Sequence, residues 1–309
     1  MKLGIIGLGD IAQKAYLPIT TALEHIELVL CSRSEDVVGA LAKQYRINHV
    51  CNDYKQLLDY NVDAVMVHAA TAVHPEIASF FLKNGIPTFV DKPLADSAAA
   101  CETLYELAEK HRQPLYVGFN RRHIPLVNQK LPDLQFNSMT NLRSLRWEKH
   151  RYSQPGDIRT FIFDDFIHPL DSVNLFAKPD LQDVSVTHQS NGSQLARIDV
   201  QWQHNETILY ASMNRQFGVT GERVQACLVN EVYEFDSFTS GQCWKESQQQ
   251  SFSLKDWTPM LESKGFTHMI QDWISVVDNG QISSKVVERN IASHQLAEAI
   301  CNKVSRSMR

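Results

Sequence analysis

The chain has 309 residues, of which 43% are hydrophobic and 21% charged, as in an ordinary globular protein with room for two domains. A formal net charge of -5 and a pI near 6.2 provide no positive field for nucleic acid or an anionic membrane. The opening MKLGIIGLGD predicts a strand and a turn rather than a signal peptide, and no apolar run reaches the roughly 18 residues that a bilayer span needs. We therefore expect a cytoplasmic protein without nucleic-acid or membrane partners.

The cysteines are dispersed along the chain and form no CxxC pair. Neither a metal site nor a compact disulfide framework is predicted from them. They are Cys31, Cys51, Cys101, Cys227, Cys243 and Cys301.

Over the first 120 residues, short apolar or β-branched runs alternate with helical stretches, as in a parallel sheet covered by helices on both faces. Ser34, Asp53 and Ser97 are predicted N-caps of three of these helices. We predict an α/β, doubly wound Rossmann domain over residues 1–120. Its predicted strands are Lys2–Ile6, Leu28–Cys31, Ala64–His68, Thr88–Val90 and Leu115–Phe119.

After residue 120 longer strands follow in series, separated by turn signals such as Asn191-Gly192. This predicts an α+β domain over residues 121–309 with an open, mostly antiparallel sheet. The polar segment Ser247–Leu254 is interpreted as a loop. The predicted strands are Leu142–His150, Val184–His188, Ala196–Gln203, Thr207–Asn214 and Val224–Phe235, and the helices lie near Ile158–Phe176, Gly265–Asp278 and Val286–Val304.

Directly after the first strand, residues 7–12 form a GxGxxA motif. Gly7 permits a tight turn, Gly9 lets the backbone approach a pyrophosphate, and Ala12 allows close helix–strand packing. The helix that follows offers N–H groups and the positive end of its dipole to the phosphates. In this strand–turn–helix context the motif predicts a dinucleotide site, with a plain glycine turn as the alternative. The predicted contacts are Gly7, Leu8, Gly9, Asp10 and Ile11.

The second strand runs into Cys31-Ser32-Arg33-Ser34, with no carboxylate before Glu35. In NAD-binding domains an acidic residue here usually holds the ribose 2′-hydroxyl. The guanidinium of Arg33 can instead pair with a 2′-phosphate, and Ser32 can add a donor. The sequence therefore favours NADP and leaves NAD possible; a solvated Arg33 is the alternative.

Three further motifs follow along the chain: Asp91-Lys92-Pro93-Leu94, the GFNRR segment at 118–122, and Asp164-Asp165-Phe166-Ile167-His168. With the glycine motif they make the chain resemble the Gfo/Idh/MocA family of sugar and cyclitol dehydrogenases. More narrowly, it is similar to MviM-like oxidoreductases, which share GLGxIAQKA, DKPLA, GFNRR and the KHR tripeptide. The resemblance implies an NAD(P)-dependent enzyme acting on CH–OH groups of a sugar, sugar acid or cyclitol.

The resemblance also implies a catalytic group, matched here by Lys92, Asp164 and His168. An imidazole suits the base that accepts a hydroxyl proton, and an ammonium stabilises a developing alkoxide. Asp164 would orient the imidazole or hold a substrate hydroxyl. Asp165 is interpreted as a bystander, because only Asp164 has the i,i+4 relation to His168. A solvated Lys92 and a structural His168 are the alternatives.

Near the cofactor the sequence departs from the family pattern at two places. Asp91 replaces the usual Glu before Lys92, and an Ala-Ala pair stands before Thr71 where Thr-Pro is common. We expect Thr71, Asp91 and Lys92 to contact the cofactor. His74 heads a helix, and both cofactor contact and helix capping are open for it.

Near the substrate, Phe166 replaces a small residue of the family pattern. Pro169 is expected to disfavour helical geometry at His168 and to kink any continuous helix there. These departures bear on the substrate more than on the reaction.

Two basic clusters are candidate substrate-binding groups. Asn120 and Arg121 leave the first domain, and Lys149 and Arg151 end a strand of the second. Together with Asp164 they suit a substrate that carries a carboxylate or phosphate. Exposed basic residues at a domain surface are the alternative.

The open sheet face predicts a homodimer or a larger homo-oligomer, because such a face would be too large and apolar to remain in water. The segment Val224–Phe235 is a candidate participant. The alternative function is a catalytically silent nucleotide- or sugar-binding regulator of the same fold, against which the complete proton-transfer group argues.

Overall fold

A computed structural model describes residues 1–134 and 141–308 of the chain. The chain divides into two compact units: Met1–Gly118 with Phe266–Val287, and Phe119–Gly265 with Glu288–Arg309. The predicted division after residue 120 lies close to Gly118, where the chain first passes from the first unit to the second. It misses the return of Phe266–Val287 to the first unit, because a helix late in the chain carries no sequence mark of the unit on which it packs.

The first unit is built on a parallel six-stranded sheet. Its strands are β1 (Lys2–Ile6), β2 (Glu27–Cys31), β3 (His49–Cys51), β4 (Ala64–Val67), β5 (Thr88–Asp91) and β6 (Leu115–Gly118). The order β3-β2-β1-β4-β5-β6 is that of a Rossmann domain, with the reversal between β1 and β4 where such sheets bind ligands. The predicted fold class of this unit is confirmed.

The α-helices of the described residues vary from short turns to one of 24 residues. They are α1 (Leu17–Thr20), α2 (Glu35–Tyr45), α3 (His74–Lys83), α4 (Ala98–His111), α5 (Pro125–Lys130), α6 (Ile158–Thr160), α7 (Ile167–Val173), α8 (Met260–Ser263), α9 (Phe266–Asn279) and α10 (Ser284–Ser307). The π-helical turns are Ala12–Tyr16 and Phe161–Phe166, and the 3-10 turns are Tyr54–Tyr60, Thr71–Val73, Asn120–His123 and Pro132–Leu134.

The predicted N-caps of the first unit are confirmed. The side chain of Ser34 accepts the amide of Val37 at the start of α2, and Ser97 accepts the amide of Ala100 at the start of α4. Asp53 forms a capping box with Gln56 at the 3-10 turn. Each cap satisfies amides that have no partner inside the helix.

The second unit contains a mixed eight-stranded sheet. Its strands are β7 (Leu142–His150), β8 (Ser185–Asn191), β9 (Gln194–His204), β10 (Thr207–Asn214), β11 (Gly221–Leu228), β12 (Glu231–Asp236), β13 (Ser240–Lys245) and β14 (Gln248–Ser253). The order is β14-β13-β12-β11-β7-β10-β9-β8. Within this second sheet, the β7–β10 pair is the only parallel pair among the residues that the structure describes, so the mostly antiparallel sheet is confirmed. Helix α7 packs on β7 and β10.

Two predictions for this sheet were wrong. The segment Val224–Phe235 is not one strand but the hairpin of β11 and β12, which turns at Val229-Asn230, where Asn230 has a φ of 58°. The segment Ser247–Leu254 is not a loop, because β14 pairs with β13 at the sheet edge. A glutamine-rich strand exposed on both faces lacks the apolar alternation by which strands are recognised.

The exposed face of the second sheet is polar. Register pairs place Arg146 beside Tyr210 and Glu148 beside Arg223, and Asp199 extends the same face. Charged side chains also line a groove of about 670 Å³ across β7 and β11–β14. The apolar face on which the oligomer prediction relied is therefore not present, and the oligomer itself stays a prediction. Among the described helices, none combines the length and hydropathy that a membrane span requires.

Candidate active site

The glycine loop after β1 has the geometry that a bound pyrophosphate needs. Gly7 has a φ of +85°, and a Cβ there would lie 2.5 Å from the amide nitrogen of Ala69, so only glycine fits. A Cβ on Gly9 would meet no atom within 4 Å, which leaves open space beside that backbone. Helical residues 10–20 begin directly afterwards, with Asp10 and Ile11 exposed. Leu8 is buried, so it can offer a ligand only its backbone.

The loop after β2 presents an exposed arginine. Arg33 is exposed and makes no hydrogen bond or ion pair with any residue that the structure describes. Ser32 donates its amide to the carbonyl of Cys51, and its hydroxyl oxygen accepts the amide of Ser34. The next carboxylate along the chain, Glu35, accepts a hydrogen bond from Asn52 at 2.9 Å. The Arg33 guanidinium is thus exposed at this loop, whereas the Glu35 carboxylate has a partner.

A hydrogen-bonded carboxylate holds the backbone at Lys92. The hydroxyl of Tyr16 donates to Asp91 Oδ1 at 2.8 Å, and the amide of Lys92 donates to the same oxygen at 2.9 Å. Gly118 on β6 makes room for this arrangement, because a Cβ there would lie 3.0 Å from the Tyr16 hydroxyl and 3.2 Å from Asp91 Oδ1. The Tyr16 ring stacks on that of His68 with centroids 3.8 Å apart. Three strand ends and the first helix therefore fix the start of the Lys92 loop.

His74 braces the other side of the same loop. Its Nδ1 lies 3.0 Å from the Pro93 carbonyl and its Nε2 lies 2.9 Å from the Ala69 carbonyl. The ring is 2% exposed and connects the Lys92 loop with the backbone that faces Gly7. Direct cofactor contact, one of the two roles open for His74, would move a ring nitrogen away from one of these carbonyl oxygens. Thr71 is half-buried at the 3-10 turn just before it.

In the second unit, the Asp164–His168 segment is not one regular α-helix. The segment predicted as a helix near Ile158–Phe176 consists of α6, the π-helical turn Phe161–Phe166 and α7. Asp164 is exposed, Asp165 is 5% exposed, and His168 is 7% exposed in the first turn of α7. The prediction that Pro169 disfavours helical geometry at His168 was wrong, since both residues lie within α7.

Asp165, which the i,i+4 argument set aside, is the centre of a buried charge cluster. Lys149 donates to its Oδ1. The guanidinium of Arg151 donates to both of its oxygens, each at 3.0 Å, and Arg215 donates to Oδ2 at 3.0 Å. We call these four residues the Asp165 cluster. The interpretation of Asp165 as a bystander was therefore wrong in structural terms, because it organises two of the predicted substrate-binding cations.

In the Asp165 cluster the pKa values of Lys149 and Asp165 are both lowered. Burial, with the charges of Arg121 and Arg151, lowers the pKa of Lys149 to about 7 against the opposing charge of Asp165. Burial raises the pKa of Asp165, but the charges of Lys149 and Arg151 outweigh it and hold that pKa well below its ordinary value. Cations thus outweigh anions around this carboxylate.

Asn120 and Arg121 are bonded inside the second unit. Arg121 forms two hydrogen bonds to Glu222, at 3.2 and 2.8 Å, and Glu222 also accepts from the Trp147 indole at 2.9 Å. Asn120 donates to the Lys264 carbonyl and accepts from Arg121. Both side chains therefore donate hydrogen bonds to other protein groups, which gives them a structural role. The substrate role predicted for them stays a prediction.

Comparisons with known proteins decide the family. Residues 1–119 match the Gfo/Idh/MocA description of an oxidoreductase family with an NAD-binding Rossmann fold, and residues 134–246 match a YceM-like C-terminal domain. YceM of Salmonella typhimurium is 31% identical over 307 residues, which cover 97% of either protein. The chain belongs to the Gfo/Idh/MocA oxidoreductase family.

Two solved structures share the fold over nearly the whole chain. A family oxidoreductase from Vibrio cholerae is 60% identical with a TM-score of 0.98, and covers 99% of both chains. The dehydrogenase MviM from Clostridium difficile is 26% identical with a TM-score of 0.87, again over 99% of both. Inositol 2-dehydrogenase of Salmonella typhimurium is 24% identical over 83% of this chain and 80% of that protein. The predicted family resemblance is confirmed.

As a Gfo/Idh/MocA oxidoreductase, the chain carries an NAD(P)-binding Rossmann domain, and the predicted cofactor residues lie at or just after the carboxyl ends of β1, β2, β4 and β5. The structure adds Tyr16, Arg215 and Glu222, which the motifs did not indicate. One sequence signal was available: Lys149 and Glu222 each stand at an alternating strand position where the nearest strand residues on the same face are apolar. The structure buries both and pairs them in register. A charged residue in such a position needs a partner. No sequence signal indicates Tyr16 or Arg215.

Proposed function

We propose that the chain catalyses hydride transfer between a nicotinamide dinucleotide, NADP in preference to NAD, and a CH–OH carbon of a sugar-, sugar-acid- or cyclitol-like substrate. Family membership supports the oxidoreductase chemistry, and the similarity to inositol 2-dehydrogenase supports a polyhydroxylated substrate. The observation that carries the proposal is the constrained backbone at Lys92. Both Asp91 and His74 hold it at the carboxyl edge of the Rossmann sheet, where ligands of such sheets bind.

The cofactor, when bound, supplies the hydride acceptor or donor. The residues proposed to hold it divide by the part of the dinucleotide that they suit. The backbone from Gly7 to Ile11 suits the pyrophosphate, because the turn is open beside Gly9 and a helix begins there. Ser32 and the exposed guanidinium of Arg33 suit a 2′-phosphate.

The proton chemistry is proposed for Lys92, Asp164 and His168. The imidazole of His168 accepts the hydroxyl proton in oxidation and returns it in reduction. The Lys92 ammonium binds the reacting oxygen most strongly as negative charge develops on it, so its contribution is specific to the transition state. Asp164 orients the imidazole or holds a neighbouring hydroxyl of the substrate.

Lys92→Ala tests this assignment. Sugars, sugar acids and cyclitols are first screened for NADP reduction, and the active pair is used in single-turnover measurements. We expect the variant to lower the hydride-transfer rate by about 10² or more, the scale of losing one oxyanion donor, with cofactor affinity unchanged. Lys92→Arg should restore little of the rate, because a planar guanidinium does not replace the compact positive charge of an ammonium group. Lys83→Ala, at an exposed lysine of α3, is the matched control.

Two outcomes would contradict the proposal. Near wild-type turnover in Lys92→Ala would mean that the lysine is only a surface charge without a role in the reaction. No turnover across the panel, together with tight cofactor binding, would favour the silent regulator of the same fold.

A further inference from the structure

The Asp165 cluster contains more positive charge than its carboxylate can neutralise. Lys149, Arg151 and Arg215 all donate to Asp165, and their side chains are 6%, 34% and 12% exposed. Arg151 is the anchored member, because its fork spans both oxygens of the carboxylate. Lys149 and Arg215 each give Asp165 a single bond, so both have donors left.

The neighbouring pair does not remove the surplus. Glu222, 10% exposed in its side chain, pairs with Arg121 at 2.8 Å, and both act on the charge of Lys149. The described group thus has three guanidinium cations and Lys149, whose pKa is about 7, against two carboxylates, which leaves between one and two positive charges without a counter-charge. Buried charge without a counter-charge is costly, and a structural ion pair would need only one cation for each carboxylate.

One donor of the cluster is left without a partner. Arg215 Nε is buried and makes no hydrogen bond to any residue that the structure describes. The guanidinium packs over the Phe161 ring, 4.4 Å from its centroid, and a Cβ on Gly156 would lie 2.9 Å from Arg215 Nη1. Arg215 is therefore fixed in place by Asp165 on one side and by an aromatic face on the other, with a donor still to be satisfied.

We propose that Lys149 and Arg215 form an anion-binding site, with Asp165 and Arg151 as the residues that position them. The ligand is a carboxylate or phosphate monoester group of the substrate, so this inference rests on the proposed function and names the substrate's charge. The π-helical turn supports this connection, because Asp165 directly follows Asp164, the carboxylate proposed to orient His168 or to hold a substrate hydroxyl. Planar guanidinium and compact ammonium donors together match the oxygens of either anion.

Binding measured by calorimetry on the NADP-loaded full-length protein tests the site. The probes are D-glucuronate and D-glucose 6-phosphate, with D-glucose as the uncharged match. Arg215→Gln should weaken binding of an anionic probe about tenfold or more, the loss expected for a charge-assisted bond. Arg215→Lys retains the charge that pairs with Asp165 and should still lose about tenfold. Arg146→Gln, on the opposite face of β7, should bind as the wild type.

The outcomes separate this site from the proposed function. Anion binding that is weakened in both Arg215 variants and retained in Arg146→Gln supports the site, even if no probe is turned over. Preference for glucuronate or for glucose 6-phosphate identifies the anion as carboxylate or phosphate. Turnover of neutral polyols without binding of either anionic probe overturns the site and leaves the dehydrogenase proposal standing. Equal weakening in Arg146→Gln also overturns it.

Discussion

Removing one hydroxyl group, in Tyr16→Phe, tests whether the hydrogen bond to Asp91 serves the Lys92 loop. Tyr16 is fully buried, and its ring contacts with His68, Phe89 and Phe266 do not involve the hydroxyl. The substitution therefore leaves the packing in place and removes one of the two donors to Asp91 Oδ1. Among the hydrogen bonds that the structure describes, that oxygen then keeps the one from the amide of Lys92.

The size of the effect follows from the bond that is lost. A hydrogen bond to a charged group contributes roughly 1.5–3 kcal/mol to stability. Lys92 touches this carboxylate through its own amide, so a looser Asp91 moves the proposed catalytic ammonium. A displacement on the order of 1 Å can cost about 10² in rate, and we expect about a tenfold loss of the single-turnover hydride-transfer rate. The Kd of the cofactor and the KM of the substrate should change little.

Tyr116→Phe is the matched control. Tyr116 also lies in the first unit, packs on Phe89, and donates its hydroxyl to a carboxylate, Asp272 Oδ2, at 2.7 Å. We expect a similar fall in the free energy of unfolding but an unchanged hydride-transfer rate, because Asp272 does not contact the Lys92 loop in any hydrogen bond that the structure describes. Equal rates in the two variants, or a Tyr16→Phe enzyme with wild-type turnover, would refute a positioning role for Tyr16.

Three further predictions concern the cofactor, the pH dependence and the assembly. NADPH should bind about tenfold more tightly than NADH, worth about 1.4 kcal/mol, and Arg33→Asp should reverse this preference; equal wild-type affinities in a fluorescence titration would place Arg33 in solvent. Burial, with the charge of His74, lowers the pKa of His68 to about 3 from 6.5, so the unfolded state binds the proton first as the pH falls below 6.5. His68 should therefore contribute about 2 kcal/mol to the fall in the free energy of unfolding between pH 7 and 5, and in urea denaturation His68→Leu should show a fall smaller than that of the wild type by about this amount. Light scattering should show a homo-oligomer at micromolar concentration, and a monomer would contradict that expectation.

The Rossmann unit was predictable because its signals are local. Strands buried on both faces are continuous apolar runs, and the capping side chains of Ser34 and Ser97 act on amides three residues away. The three-residue strand β3 was missed, since a run so short has no period to detect. The hairpin of β11 and β12 was read as one strand because apolar residues continue through the turn up to Val229.

The charges of the second unit were predictable only in part. Arg121, Lys149 and Arg151 stand in clusters that are visible in the sequence, whereas their carboxylates come from elsewhere in the chain. Glu222 is 101 residues from Arg121, and Asp165 is 16 residues from Lys149. A cluster of like charge along the sequence therefore indicates where counter-charges are needed but not which residues provide them.

The π-helical turn explains why the periodicity argument interpreted Asp165 as a bystander. Pro169 has no amide hydrogen, and its ring would clash with the carbonyl four residues earlier in a regular α-helix, which is that of Asp165. Just before Pro169 the helix is a π-helical turn, which is wider than an α-helix. In it the amide of Ile167 donates to the carbonyl of Ile162, five residues earlier. A helix with 3.6 residues per turn would place Asp164 and His168 on one face. The widened turn instead leaves Asp164 exposed and buries Asp165 among the cations, so two adjacent aspartates are available for two different tasks.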